Sequence, residues 1–330
     1  MKNKIIDLLA AQIEGMSKED ISAIIEIPPK PEMGDFAFPC FRLAKTMHKA
    51  PNMIAADIKE AIGDVDYLDR IEVKGAYLNF FVKTEVFVKS MIEAANSENF
   101  GGSDIGEGKN ICLDYSSPNV AKNFHVGHLR TTIIGNSLYK IFSKLGYNAI
   151  RINHLGDWGT QFGKLIVAYK AWGSKEAVEK DGISELMKLY VKFHEEADKN
   201  PELVDEARAW FAKMEQGDEE ALSIWQWFKD ISLVEYKRTY DLLGVDFDYY
   251  LGESFYRDKC QEVVDKITEA GLLKESEGAM IVDLSEYDMA PCIITKKDGS
   301  SIYATRDLAA IFYRKKTYNF CKCLYVTGQE

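Results

Sequence analysis

Residues 110–153 read NICLDYSSPNVAKNFHVGHLRTTIIGNSLYKIFSKLGYNAIRIN. The stretch opens with an apolar strand at 111–115, continues through a polar loop, and enters a long segment with helical periodicity. Apolar residues recur on one face of that predicted helix: Leu129, Ile133, Ile134, Leu138, Ile141 and Leu145. Gly146 ends the helix, and 149–154 reads as a second strand. A strand, a helix and a strand of these lengths form a βαβ crossover, which predicts a parallel, doubly wound sheet.

The rest of the chain divides into two domains and an insertion. Residues 1–106 predict a small α+β domain, which ends in a segment rich in glycine. Residues 107–330 carry the parallel sheet. Within them, about 165–245 is mostly helical and charged, which indicates a helical insertion.

Composition narrows the class of protein. The chain has 330 residues, 46% of them hydrophobic, and no apolar run of about 18 residues that would span a membrane. Residues 1–14 lack the features of a signal peptide, so a cytoplasmic protein without membrane contact is expected. The six cysteines predict reduced thiols, and Cys321 with Cys323 gives too few ligands for structural zinc, so no metal site is predicted. A net charge of −11 argues against indiscriminate nucleic-acid binding and leaves a local basic groove open.

The segment His125-Val-Gly-His128 lies at the predicted turn from the first strand into the long helix. Ligands bind at the carboxyl ends of parallel strands, and a helix N-terminus favours phosphate. Gly127 has no Cβ, so a nucleotide could approach the backbone closely. Two imidazoles one turn apart could stabilise negative charge developing on phosphates. The four residues are a weak signal by themselves, and purely structural roles for both histidines remain open.

Longer motifs in the same order resemble those of class I arginyl-tRNA synthetases. They are Ser116-Ser-Pro-Asn-Val-Ala-Lys-Asn-Phe-His-Val-Gly-His-Leu-Arg130, Asn153-His-Leu-Gly-Asp-Trp-Gly-Thr-Gln-Phe-Gly163, Tyr303-Ala-Thr-Arg-Asp307 and, in the first domain, Gly34-Asp-Phe-Ala-Phe-Pro39. The resemblance covers nearly the whole chain. It implies a Rossmann-like catalytic domain with a helical insertion, preceded by a small α+β domain that contacts tRNA. The implied activity is ATP-dependent joining of L-arginine to tRNA(Arg) through an arginyl-adenylate.

The resemblance also implies an arginine pocket lined by the residues that match family positions: Asp114, Asn119, Tyr303 and Asp307. A guanidinium is a planar cation, and carboxylates bind it bidentately, so Asp307 is the favoured partner. The other interpretation of Asp307 is an acidic residue at a helix start. His154 and Gln161 follow the second strand and are further candidates for arginine contact, although His154 could instead satisfy a loop carbonyl.

The ATP site implied by the resemblance comprises Ser117, Pro118, Lys122, His125, Gly127 and His128, with the histidines, Gly127 and Lys122 as catalytic residues. Lys122 stands where some arginyl enzymes with a degenerate lysine signature carry a compensating lysine, and a solvated loop lysine is the alternative. Mg²⁺ is expected to arrive on the ATP phosphates without a protein cage.

The resemblance implies that Asp35, Phe36 and Phe38 contact tRNA, whose unpaired bases stack on aromatic rings. An aromatic core strand is the alternative interpretation. A monomer is expected. The lysine-rich KMSKS signature and a helical anticodon-binding domain do not occur before Glu330. The chain is therefore predicted to be an N-terminal fragment that does not aminoacylate by itself.

Two other functions remain open. Nucleotidyltransferases that make dinucleotide-like cofactors also use H-x-G-H at a helix start, but they do not account for Tyr303–Asp307 or for the first domain. A non-catalytic paralogue that binds RNA or arginine would keep the fold and lose the chemistry. The intact His125, Gly127 and His128 argue against that loss.

Overall fold

A computed structural model describes residues 1–297 and 302–328. The chain forms two compact units, Met1–Phe100 and Gly101–Glu330. Each unit has its own hydrophobic clusters.

The first unit is an α+β structure built around a three-stranded sheet. Its elements are α1 (Lys2–Ala10), α2 (Lys18–Ile24), β1 (Phe36–Pro39), α3 (Ala44–Met47), α4 (Pro51–Ile62), β2 (Leu68–Lys74), β3 (Tyr77–Val82) and α5 (Thr84–Ala95). The strand order is β1-β3-β2 and both pairings are antiparallel. Helices α1 and α4 bury Ile5, Leu9 and Ile54 in the same cluster as Phe38 and Phe80.

The second unit contains a parallel sheet, many helices and a small antiparallel sheet. Its elements are β4 (Asn110–Tyr115), α6 (Val126–Lys144), β5 (Asn148–Asn153), α7 (Thr160–Trp172), α8 (Lys175–Asp181), α9 (Ile183–Ala197), α10 (Glu202–Gln216), α11 (Glu219–Leu243), β6 (Tyr249–Tyr250), α12 (Glu253–Tyr256), α13 (Cys260–Glu269), β7 (Leu273–Ser276), β8 (Ala279–Val282), β9 (Cys292–Thr295), α14 (Tyr303–Tyr318) and β10 (Lys322–Val326).

The parallel sheet has the order β10-β4-β5-β6, and all three pairings are parallel. From β4 the chain winds outward through β5 to β6, and β10 then pairs with the opposite edge of β4. The strand order therefore reverses between β4 and β10, which is the place where doubly wound sheets bind ligands. The predicted α/β fold with a parallel sheet is confirmed.

Successive residues of β4 point to opposite faces of the sheet. Ile111, Leu113 and Tyr115 pack in one cluster with Tyr236 and Tyr240 of α11. Cys112 packs in a cluster that lies on the other face. Asp114 shares that second face by alternation and is one residue from the carboxyl end of the strand.

The packing face of α6 coincides only in part with the face that its apolar periodicity indicates. Ile133, Ile134 and Ile141 are 42%, 43% and 54% exposed, whereas the buried residues are Thr132, Gly135 and Asn136. The reason is steric, because a Cβ on Gly135 would lie 2.1 Å from Cγ of Tyr115. Small residues are therefore needed where the helix crosses the ring of Tyr115.

Helices α7 and α9–α11 surround the largest cluster of the second unit. Trp158, Phe162, Phe193 and Phe228 are buried within it, and burying each large apolar side chain contributes about 1.5–3 kcal/mol. Strands β7, β8 and β9 form the separate antiparallel sheet. In the portion of the chain that the structure describes, none of the helices combines the length and the apolar character needed to cross a bilayer.

Candidate active site

The loop between β4 and α6 is held in an unusual backbone conformation. Ser116, Ser117 and Ala121 have positive φ angles of 74°, 47° and 63°. Such angles are uncommon for residues other than glycine and persist only where surrounding contacts enforce them.

Buried hydroxyl groups supply part of that enforcement. Ser116 Oγ lies 2.7 Å from the Tyr240 hydroxyl and 2.8 Å from Thr132 Oγ1. Asn153 Nδ2 donates to the same Tyr240 hydroxyl at 3.0 Å, and Asn153 Oδ1 accepts from the Ser117 N–H at 3.2 Å. The ends of β4 and β5 are thereby tied to α6 and α11.

Helix α11 fixes the second half of the loop. The Tyr236 hydroxyl donates to the carbonyls of Asn119 and Lys122, each at 2.7 Å. The Ala121 N–H donates to Ser232 Oγ at 3.0 Å. Lys122 therefore has an exposed side chain on an anchored backbone.

The two predicted imidazoles are stacked at the start of α6, with ring centroids 3.9 Å apart. His125 is the N-cap residue, and its Nδ1 accepts from the Gly127 N–H at 3.1 Å. His128 Nδ1 accepts from the His125 N–H at 3.3 Å. Because both Nδ1 atoms accept, each neutral ring carries its proton on Nε2. Each of the two rings can therefore donate a hydrogen bond from its Nε2–H.

Burial, followed by the proximity of His125, lowers the pKa of His128 from 6.5 to about 4. Gly127 has a local reason to be glycine, since a Cβ there would lie 2.9 Å from Cε1 of His125. The structure accounts for Gly127 through the imidazole that folds over it, and close approach of a ligand remains a prediction.

A cavity of about 490 Å³ opens where the strand order reverses. Five of the predicted site residues line it: Asp114, Ser117, His154, Tyr303 and Asp307. Tyr325 and Thr327, in and just after β10, also line it. Residues more than 200 positions apart in the sequence, such as Asp114 and Tyr325, therefore share one cavity.

Asp114 is engaged within the protein. Its Oδ2 lies 2.7 Å from Nη2 of Arg314, and its Oδ1 accepts from Ser117 Oγ at 3.0 Å. The Arg314 side chain is fully buried. Burial is the largest single influence and lowers the pKa of the guanidinium, but Asp114, Tyr256 and Tyr325 together outweigh burial and raise that pKa.

Asp307 faces the cavity with a more open carboxylate, whose side chain is 61% exposed. Its Oδ1 lies 3.7 Å from Nε2 of His154. Surrounding protein raises the pKa of Asp307 above its ordinary value, although His154 opposes that effect. Tyr303, four residues earlier, lies one turn away on α14 and is 67% exposed.

Two residues predicted with this group lie elsewhere. Gln161 borders a small cavity beside Lys122, and it is absent from the residues that line the larger cavity. Asn119 pairs as a bridge with Gly156, whose lack of a Cβ leaves room for the Asn119 amide. Pro118 is buried beside it, and its carbonyl accepts from the Gly156 N–H at 3.1 Å.

In the first unit, Phe38 is fully buried in the core. A ring without an exposed face cannot stack on a base, so the prediction of tRNA contact by Phe38 is corrected to a packing role. Asp35 is exposed and Phe36 is half-buried. The Asp35 carboxylate also accepts from the Val82 N–H at 2.8 Å, which ties β1 to the end of β3.

The sequence analysis missed Arg314 and the thiol pair beside it. Arg314 follows Asp307 by seven residues, so both lie on one face of α14, and this spacing is the signal that was available. Cys323 is in register with Cys112 across β10 and β4. A hydrogen bond from Cys112 lowers the pKa of Cys323 to about 6. The thiol pair therefore joins two strands and does not involve the sequence neighbour Cys321.

His125 and His128 are not among the residues that line the cavity, but they stand at the start of the helix that follows β4. A parallel sheet with a cavity at its switch point and an imidazole pair at this helix start matches the catalytic domain of a class I aminoacyl-tRNA synthetase. Residues 91–330 match the family model described as tRNA synthetases class I (R), catalytic domain. Residues 3–82 match the arginyl tRNA synthetase N terminal domain. The chain belongs to the arginyl-tRNA synthetase family.

Individual relatives agree with that assignment. The chain is 59% identical over 328 residues to an arginine–tRNA ligase of Alkaliphilus metalliredigens, covering 99% of the chain and 58% of the relative. It is 60% identical over 314 residues to that of Clostridium perfringens, covering 94% and 55%. The crystal structure of the Plasmodium falciparum arginyl-tRNA synthetase superposes with a TM-score of 0.65 at 26% identity, covering 99% of the chain and 58% of that protein. The chain thus spans a little more than half the length of these relatives.

Within residues 1–297 and 302–328, there is no group of three or more His, Cys, Asp or Glu that could hold a metal ion.

Proposed function

We propose that this chain carries the arginine- and ATP-binding centre of an arginine–tRNA ligase. In that reaction the carboxylate of L-arginine attacks the α-phosphate of ATP, forming arginyl-adenylate and releasing pyrophosphate. A terminal hydroxyl of tRNA(Arg) then attacks the activated carbonyl and releases AMP. The observation that carries the proposal is the open Asp307 carboxylate in the cavity that Asp114, Ser117, His154 and Tyr303 share.

Asp307 is the group proposed to bind the substrate guanidinium. A planar fork of N–H donors matches the two oxygens of a carboxylate, and Tyr303 stands one turn away to flank it. Asp114 is not proposed to bind the guanidinium, because its carboxylate already contacts Arg314 and Ser117. A cavity with one open carboxylate selects a single cationic side chain and leaves that carboxylate unpaired when a neutral analogue enters.

His125 and His128 are the groups proposed to meet the phosphates of ATP. Their Nε2–H donors can bind charge that develops on the α-phosphate and on departing pyrophosphate. Lys122, exposed on its anchored loop, would add a positive charge next to them. Mg²⁺ would enter as part of the ATP substrate and neutralise its phosphates. Ser117 would line the site, while the buried Pro118 holds the loop to Gly156.

The first domain, 1–106, is proposed to contact tRNA(Arg) through the exposed Asp35 and the half-buried Phe36. The second, 107–330, would carry the chemistry, with 165–245 as its helical insertion. The protein is proposed to act as a monomer.

The proposal is tested by Asp307→Asn, which keeps the shape of the side chain and removes its charge. Leaving the guanidinium without its counter-charge should raise the dissociation constant for arginine about 100-fold, equivalent to about 3 kcal/mol. ATP affinity should stay unchanged. The measurement is calorimetric titration of the chain, together with arginine-dependent exchange of pyrophosphate into ATP by the native gene product.

The matched control is Asp205→Asn on α10, whose side chain is 76% exposed and does not line the cavity. It should bind arginine as the unmodified chain does. Unchanged arginine affinity in Asp307→Asn would remove this carboxylate from the pocket. Pyrophosphate exchange that proceeds without arginine would favour a nucleotidyltransferase.

A further inference from the structure

The residues that line the cavity include a cation, Arg314, although the proposed substrate is itself cationic. The guanidinium of Arg314 is fully buried, with Nη2 at 2.7 Å from Asp114 Oδ2 and 3.3 Å from Nδ1 of His154. The rings of Tyr256 and Tyr325 lie 6.0 and 5.4 Å from its central carbon. One side chain thus bridges a carboxylate and an imidazole.

The contact with Arg314 determines where the proton of His154 resides. A guanidinium has five N–H donors and no acceptor, so Nδ1 of His154 has to accept. A neutral imidazole with a bare Nδ1 carries its proton on Nε2. In the described residues 1–297 and 302–328, the recorded partner of Nδ1 is thus a side chain, whereas backbone N–H groups donate to His125 and His128.

The surroundings keep that imidazole neutral. Burial is the largest influence and lowers the pKa of His154. Among its charged neighbours, Asp114 of β4 raises the pKa, Arg314 of α14 lowers it, and Asp307 and Asp157 raise it. On the remaining side, the ring of Tyr256 stacks on His154 with centroids 5.4 Å apart.

The Nε2 atom of His154 lies close to the carboxylate of Asp307, the group proposed to bind the substrate guanidinium. Nε2 is buried and has no hydrogen-bond partner among residues 1–297 and 302–328. The Oδ1 atom of Asp307 lies 3.7 Å from it. A donor at this place can approach and orient Asp307, whereas a bare Nε2 would set a lone pair against the carboxylate oxygen.

We propose that Arg314 is a positioning residue, which holds His154 as the neutral Nε2–H tautomer so that Asp307 is oriented and forms no ion pair with His154, which leaves its charge for the substrate guanidinium. This inference rests on the proposed function for its last step. A protonated His154 would pair with Asp307 and compete with arginine. Arg314 prevents that competition by occupying Nδ1, and Asp114 cancels the charge that Arg314 brings into the cavity.

The tautomer can be observed directly by long-range proton–nitrogen correlation NMR on the chain labelled at histidine. The chain has five histidines, and loss of one set of signals in His154→Gln assigns this ring. From about pH 8 to about pH 6, Nδ1 should show the shift of an unprotonated nitrogen and Nε2 that of a protonated one. A proton on Nδ1, or a charged ring in this range, overturns the inference.

Arg314→Met removes the donor and leaves Asp114 charged, so His154 should gain a proton at Nδ1 as the pH falls. Arginine affinity should then weaken about tenfold between about pH 8 and about pH 6, whereas the unmodified chain changes little. Arg314→Lys restores a cationic donor and should restore most of the bare Nδ1 signal. A loss of affinity in Arg314→Met that is equal at every pH would indicate a structural role and overturn the inference.

A second variant covers the case in which an unpaired Asp114 prevents folding. Asp114→Asn with Arg314→Met removes both charges together, and the ring should then show a mixture of tautomers. Retention of the pure Nε2–H form would show that Arg314 does not set it, which also overturns the inference. Absence of arginine binding in the unmodified chain, with the NMR result as expected, would instead refute the proposed function and leave the tautomer assignment standing.

Discussion

At the level of single residues, the His128 imidazole, which is proposed to bind ATP phosphates, should also make the stability of the folded chain depend on pH. The pKa of His128 is about 4 in the folded chain against 6.5 ordinarily, so between these values the unfolded chain binds more protons. Stability should therefore fall as the pH drops from 6.5 towards about 4. The ring is half-buried, so its share is on the order of 1 kcal/mol.

His128→Gln tests this assignment. Glutamine at the third helical position can still accept from the His125 N–H, so the helix start should survive. The free energy of unfolding, measured in urea across that pH window, should fall less steeply in the variant. His48→Asn, which removes an exposed histidine of the first unit, should keep the original slope. Equal slopes in His128→Gln and in the unmodified chain would show that this ring does not drive the acid sensitivity.

The sequence predicted single residues well where the chemistry is local. His125 and His128 stand at a strand-to-helix turn, and their common orientation follows from a spacing of three residues. Arg314 was missed because its partners, Asp114 and His154, are 200 and 160 positions away in the sequence. Long-range ion pairs of this kind become visible only when β4 and α14 are brought together.

At the level of elements, α11 acts as the support for the loop between β4 and α6. Tyr236, Ser232 and Tyr240 contact that loop from successive turns of the helix. The sequence indicated a helical insertion without a role. Its last helix spans 25 residues and reaches back to the phosphate-binding turn proposed above.

Tyr236→Phe should loosen this support. Loss of one buried hydroxyl leaves the carbonyls of Asn119 and Lys122 without their donor, at a cost of about 1–3 kcal/mol. The displaced Lys122 should then weaken ATP binding several-fold while arginine binding changes little. Tyr287→Phe removes a hydroxyl from a side chain that is 72% exposed and serves as the control. Equal weakening of arginine and ATP binding in Tyr236→Phe would contradict a local effect.

The apolar periodicity of α6 identified the helix correctly, but only part of the apolar face is packed. Leu138 packs against a core cluster, whereas Ile133, Ile134 and Ile141 are exposed. Periodicity reports which face is apolar, whereas the contact with β4 is decided by the volume that the ring of Tyr115 leaves. Gly135 fits into that space, and Thr132 and Asn136 are buried on the same helix. Sequence patterns therefore predict the existence of such a helix better than its rotation about its own axis.

At the level of the whole molecule, the chain has separate cores in its two units. The cluster around Ile54 draws its buried residues from Ile5 to Val82, and the cluster around Ile166 draws them from Val120 to Phe228. Separate cores are expected to unfold as separate cooperative units.

The five tryptophans make this expectation measurable, because all of them lie in the second unit, at positions 158, 172, 210, 225 and 227. Ile54→Ala creates a cavity in the first core and should destabilise it by about 2–5 kcal/mol. Tryptophan fluorescence during urea unfolding should keep its midpoint, while circular dichroism gains an early transition. Ile166→Ala should shift the fluorescence midpoint instead. A fluorescence midpoint that moves with Ile54→Ala would mean that the two cores unfold as one cooperative unit. The tRNA-contacting and catalytic domains proposed above would then not be independent in stability.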